Sequence, residues 1–178
     1  MENDSVRRNL LASRNVFNGI HGYMELNLSS LSVLLRRLSG DKLFYLSLLA
    51  GPFFWLSLYF GGTAITGPKW LSENKWLFLQ VALLYPVVEE LVFRGLLQES
   101  LWRTPLSRLS IYCVSMPNIV TSVLFTAFHF LAHPPLWAVG VFIPSLVYGF
   151  FRDRYERVLP AVLLHVFYNS GYFLLFGR

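Results

Sequence analysis

The chain has 178 residues, of which 54% are hydrophobic, 17% aromatic and only 14% charged, with a formal net charge of +5. A soluble domain carries about 25% charged residues, and the mean hydropathy of +0.48 points to lipid as the main solvent. The basic residues fall between apolar runs rather than along one stripe, which argues against nucleic acid as a partner and for membrane topology. The single Cys113 excludes an internal disulfide and a cysteine-based zinc cluster. No signal peptide is expected, because the first long apolar run begins near Leu43.

Residues 1–42 are too polar to span; their last part, "LSSLSVLLRRL", reads as an amphipathic helix lying on the membrane surface. Apolar runs then predict spans over 43–62, 76–97, 119–133, 136–151 and 158–176, judged against the roughly 20 residues a bilayer requires. Residues 105–117, "PLSRLSIYCVSMP", fit either an interfacial helix or a re-entrant piece. The expected fold is an all-α polytopic transmembrane bundle of about five spans, residues 43–178, preceded by a cytoplasmic or interfacial arm, residues 1–42. Twelve Lys and Arg fall on one side of these spans and Lys69, Lys75 and Arg178 on the other. That asymmetry predicts a cytoplasmic N-terminus and an outer C-terminus.

Within the second span, "YPVVEELVFRGLLQ" places Glu89, Glu90 and Arg94 among Leu, Val and Phe. Glu90 and Arg94 are four apart and suited to an ion pair, whereas Glu89 is turned about 100° away and has no such partner. Pro86 removes a backbone bond just before them and can kink the helix. His129 lies roughly 15 Å along its span, Glu89 roughly 12 Å, and His165 and Asn169 roughly 10 and 16 Å. Three helices of different direction thus bring Glu89, the two histidines and Asn169 to a similar depth. Each motif alone has a plain explanation: a structural ion pair, a helix–helix hydrogen bond, or packing and interfacial anchoring for Trp55, Trp70, Trp76 and Trp137. His133 reads as a loop residue and His21 as a surface one. The common depth and the unpaired Glu89 are what those explanations leave over.

"EELVFRG", "FTAFH" and "HVFYN" together resemble the EExxxR, FxxxH and HxxxN signatures of the CPBP (Abi) family, which contains CAAX prenyl proteases and bacteriocin-processing relatives. The resemblance covers roughly residues 76–176. It implies a glutamate-type intramembrane endopeptidase in which Glu89 activates water, Glu90 and Arg94 support it, His129 holds the water, and His165 and Asn169 stabilise the oxyanion. It implies no cofactor, and a membrane-delivered peptide or protein as substrate: a CAAX-like tail, a bacteriocin-type peptide or a C-terminal sorting signal. The chain is shorter than some members. A divalent metal held by Glu and His is the second chemistry considered, disfavoured by the adjacent cation Arg94. Two other function classes remain open on sequence. One is a non-enzymatic immunity or scaffold protein; the other is a proton-relaying transporter, against which stands the lack of inverted repeats.

Overall fold

A computed structural model describes residues 28–177. The first 27 residues, including most of the expected arm and His21, and the terminal Arg178 lie outside the described residues. The described chain falls into two units, residues 28–39 and 40–177. The first is the helix α1, Leu28–Ser39, with Arg36 and Arg37 in its last turn, where positive charge complements the helix dipole.

The second unit is a helical bundle. Its helices are α2 (Lys42–Phe60), the short α3 (Gly67–Glu73), α4 (Lys75–Trp102), α5 (Met116–His129), α6 (Pro135–Tyr155, with a break at Val141) and α7 (Leu159–Phe176). Four of them, α2, α4, α6 and α7, are long and apolar enough to cross a membrane. The third expected span coincides with α5, whose 14 residues make a helix of roughly 21 Å, short of the roughly 30 Å hydrocarbon core. The surface is what lipid requires: Phe53 is 71% exposed, Phe60 81% and Ile143 70%. No Asp, Glu, Lys or Arg occurs between Arg108 and Arg152.

Contacts at the helix ends set the directions. Asp41 caps the start of α2 by accepting from the Leu43 N–H at 3.0 Å, which satisfies one orphan donor of the first turn. The same carboxylate accepts from Arg154 Nε at 2.7 Å and from the Tyr155 hydroxyl at 2.6 Å. The start of α2 and the end of α6 therefore share one end of the bundle. The end of α4 and the start of α5 join them there, through Trp102 Nε1 and Ser115 Oγ donating to Asp153 at 2.6 and 2.5 Å. At the opposite end, the Thr66 N–H donates to Leu175 O at 3.0 Å and its hydroxyl to Gly177 O at 2.9 Å. The helices α2, α4, α5, α6 and α7 thus alternate in direction.

Small residues let the backbones approach, as is usual between helices in lipid. Gly51 of α2 faces the Tyr168 ring, and any side chain at Gly171 of α7 would overlap the Trp55 indole. Residues 105–117 are neither a full interfacial helix nor a re-entrant one. They form a 3-10 turn, Pro105–Arg108, and a two-stranded antiparallel hairpin, Ser110–Ile111 with Val114–Ser115. Tyr112 turns the hairpin at φ 53°.

The interior of α4 is unusual. Its segments Gln80–Leu84 and Leu91–Gln98 are π-helical and flank the α-helical Tyr85–Glu90. Such wide turns are rare and concentrate at functional sites. Here Pro86 has a direct consequence. The Tyr85 N–H bonds Gln80 O, five residues back; the next step of that register would need the N–H that Pro86 lacks, so Val81 O is left over.

Candidate active site

Three helices, α4, α5 and α7, carry the expected residues, and α6 closes them from the side. Glu90 and Arg94 are both fully buried, with Arg94 Nε donating to Glu90 Oε2 at 3.2 Å. The expected ion pair is formed, but it is one link of a longer chain. Glu90 Oε1 lies 2.9 Å from His165 Nδ1. The remaining guanidinium nitrogens of Arg94 donate to Gln98 Oε1 at 3.1 Å and Ser145 Oγ at 2.6 Å, and its Cζ sits 5.6 Å from the centre of the Phe125 ring. Gln98 Nε2 in turn donates to Gly149 O at 3.0 Å and to Asp153 Oδ1 at 2.7 Å. Asp153 also accepts from Arg152 Nη1 at 3.0 Å, and Arg152 pairs with Glu99. A charge buried in apolar surroundings persists only when paired and hydrogen-bonded, and this chain of polar groups meets that condition for Arg94.

Glu89 is placed differently. Its side chain is 25% exposed, and the imidazole of His165 stands beside it, with Nε2 to Oε2 at 3.8 Å. That distance is too long for a hydrogen bond and a small side-chain movement would close it. His165 thus stands between the two glutamates, Nδ1 toward Glu90 and Nε2 toward Glu89. Tyr148 of α6 stacks on its ring, with centroids 4.8 Å apart and planes at 18°, while Phe125 meets the ring edge-on at 6.0 Å.

His129 closes α5 beside Phe125. Its Nδ1 lies 2.8 Å from Phe125 O, so the ring is held as the Nδ1–H donor with Nε2 free to accept. His133, in the loop as expected, stacks on it at 5.6 Å. Asn169, four residues after His165, has a backbone partner of its own. Its Nδ2 donates to Val81 O at 3.0 Å, the carbonyl that Pro86 leaves over. One N–H of that amide is thereby spent on the backbone of α4, and the second remains.

Sequence reasoning did not single out Gln98, Ser145, Tyr148, Asn118 or Asp153. Gln98 was within reach, since it continues the four-residue step from Glu90 to Arg94. The others are joined to the site by packing between helices: Ser145 and Asp153 of α6 meet Arg94 and Gln98 of α4, Tyr148 of α6 meets His165 of α7, and Asn118 of α5 lies against α6. There Asn118 Nδ2 donates to Leu146 O at 2.9 Å. Any side chain at Gly149 would overlap Asn118 and crowd Arg94. No group of three or more His, Cys, Asp or Glu suited to a metal occurs among the described residues. Ser145 accepts from Arg94 and Cys113 is exposed on the hairpin; neither has a base beside it.

Neither a curated protein nor a solved structure matches the chain. Residues 71–171, more than half the chain, match the family described as type II CAAX prenyl endopeptidase Rce1-like. That range begins just before α4 and runs into α7, so it takes in both glutamates, Arg94, both histidines and Asn169. By that match, the chain belongs to the Rce1-like family of type II CAAX prenyl endopeptidases.

Proposed function

We propose that the protein is an intramembrane endopeptidase that hydrolyses a peptide bond in a membrane-delivered protein tail by glutamate-activated water. The single observation that carries this reading is the division of labour between the adjacent glutamates. Glu90 is sealed between Arg94 and His165, while Glu89 is partly open and bound to neither by a hydrogen bond. Peptide hydrolysis needs a base for water, a hold on that water, and donors for the carbonyl oxyanion. Glu89 supplies the base. His129, with Nε2 free, orients the water. The remaining N–H of Asn169 serves the oxyanion, a class of contact worth about 3–4 kcal/mol when one donor is removed. The family description supports a CAAX-type C-terminal tail as first substrate class, with bacteriocin-type peptides and C-terminal sorting signals as the others to try. Purified protein offered such peptides in detergent or vesicles should cleave at least one; cleavage of none would remove the reading.

The chemistry proposed is metal-independent. Glu90 is committed to Arg94, and that fixed cation opposes a second one nearby. Activity should therefore persist after dialysis against a chelator. Loss of activity to the chelator and recovery with zinc would instead establish a metalloprotease.

We place the bundle end that carries Lys42, Arg103, Arg108, Arg152 and Arg154 in the cytoplasm, by the excess of positive charge there. With α5 crossing between the two ends, reporters fused after Arg103, Pro135 and Arg178 should read inside, outside and outside. An inside reading at Arg178 would show that α5 does not carry the chain across.

A further inference from the structure

We propose that the tip of the hairpin between α4 and α5 is a membrane anchor, seated among lipid headgroups at the bundle end that carries Arg103 and Arg152. The starting point is a residue that the local backbone disfavours. Tyr112 turns the hairpin at φ 53°, a left-handed conformation that is an outlier for a bulky residue and that hairpin turns ordinarily give to Gly, Asn or Asp. Strain of this kind points to a use for the side chain itself. That use lies outside the described protein, because Tyr112 is 98% exposed.

The neighbouring residues share the exposure. Val114–Ser115 lies against α5 and α6, which leaves Ser110–Ile111 as the outer strand. Every residue from Arg108 to Cys113 is exposed, and two of them, Leu109 and Ile111, are large and apolar. Apolar side chains gathered on a surface mark an interaction site, and three observations identify lipid as what covers this one. The helices that the hairpin joins expose Val92 and Leu96 on α4 and Val123 and Leu124 on α5, so the hairpin leaves and re-enters a surface already facing lipid. Tyrosine suits the headgroup level, where its ring is buried and its hydroxyl stays wet. Residues 103–115 carry Arg103 and Arg108 and no Asp or Glu, a charge that anionic headgroups attract. The backbone sets the depth. The outward N–H and C=O groups of the outer strand need water, which the hydrocarbon core lacks. The tip therefore sits at the boundary of headgroups and acyl chains, roughly 5–10 Å in. The anchor holds whatever reaction the site performs.

Cys113 is the chain's single cysteine and is exposed beside Tyr112, so the full chain accepts one reporter at the tip. Protein labelled there with an environment-sensitive fluorophore is reconstituted into vesicles of phosphatidylcholine and phosphatidylglycerol. Two kinds of quencher are compared: acrylamide in the water, and lipids carrying a nitroxide at the headgroup or at the end of the acyl chain. The wild-type label should be quenched most by the headgroup nitroxide and least by acrylamide. Tyr112→Gly relaxes the turn, since Gly takes φ above zero without steric cost. It should melt no lower than the wild type in detergent, yet show a red shift of the label, loss of the lipid quenching and a gain in acrylamide quenching. Tyr112→Trp, the other residue of membrane interfaces, should keep the wild-type pattern. A residue that only shapes the turn would leave the label in the same place in all three proteins, and that result would overturn the proposal. Acrylamide quenching the wild type most would place the tip in water and overturn it too. Protection from every quencher would mean that protein, such as a second copy of the chain, covers the hairpin instead of lipid. Strongest quenching from the acyl-chain end would put the hairpin in the hydrocarbon core, which the anchor at headgroup level excludes.

Discussion

Glu89→Gln should melt with the wild type and cleave no peptide. The side chain is 25% exposed and His165 Nε2 stands 3.8 Å from it, so the folded state loses no hydrogen bond when the carboxylate becomes an amide. Gln is nearly isosteric and fills the same space. The reaction, by contrast, loses the group that removes the water's proton, because an amide is not a base. Loss of a positioned general base lowers the rate by about 10²–10⁴-fold. The measurement is thermal melting and peptide cleavage on the same detergent preparation. Near wild-type cleavage by Glu89→Gln would show that Glu89 is not the base. A depressed melting temperature would show that Glu89 belongs to the structural network after all.

The apolar runs made the four long helices legible, with edges shifted by a few residues. The largest change is in α4, which continues to Trp102 because Gln98 and Trp102 are held by Asp153, a partner some fifty residues away. Residues 105–117 were not legible for the same reason. The hairpin ends on Ser115, whose hydroxyl both caps α5 and bonds Asp153, and no local pattern announces that carboxylate. In the site, spacing alone found the Glu90–Arg94 pair. Spacing did not reveal the partners of His165 and Asn169. Four residues apart in an α-helix do share a face, but what each side chain meets is set by the neighbouring helix. The neighbour is α4, whose π-helical turn just before Pro86 leaves Val81 O to be claimed by Asn169. Sequence reveals the proline and not the register that follows from it. The tie between His165 and Glu90 is likewise a matter of helix packing.

Glu90→Ala should cost stability and activity together. The wild-type carboxylate is fully buried and satisfies Arg94 through one oxygen and His165 through the other. Its removal leaves a guanidinium that retains Gln98 and Ser145 but has lost the negative charge that balances it. Breaking a buried pair by deleting one partner costs about 3–5 kcal/mol, which for a chain of this size corresponds to a fall in melting temperature on the order of 10 °C. His165 also loses the carboxylate that its Nδ1 meets at 2.9 Å, so cleavage should fall even in the fraction that folds. The double variant Glu90→Ala with Arg94→Met separates the stranded charge from the lost packing. Removing both charges takes away the desolvation penalty of the survivor, and replacing a buried pair by apolar residues is often neutral or better. The double variant should therefore melt above the single one while remaining inactive, a non-additive pair of effects expected of groups in direct contact. If Glu90→Ala melts like the wild type, or if Arg94→Met lowers its melting point further, Glu90 is not held in place to balance Arg94, and the division between a structural and a reactive glutamate fails.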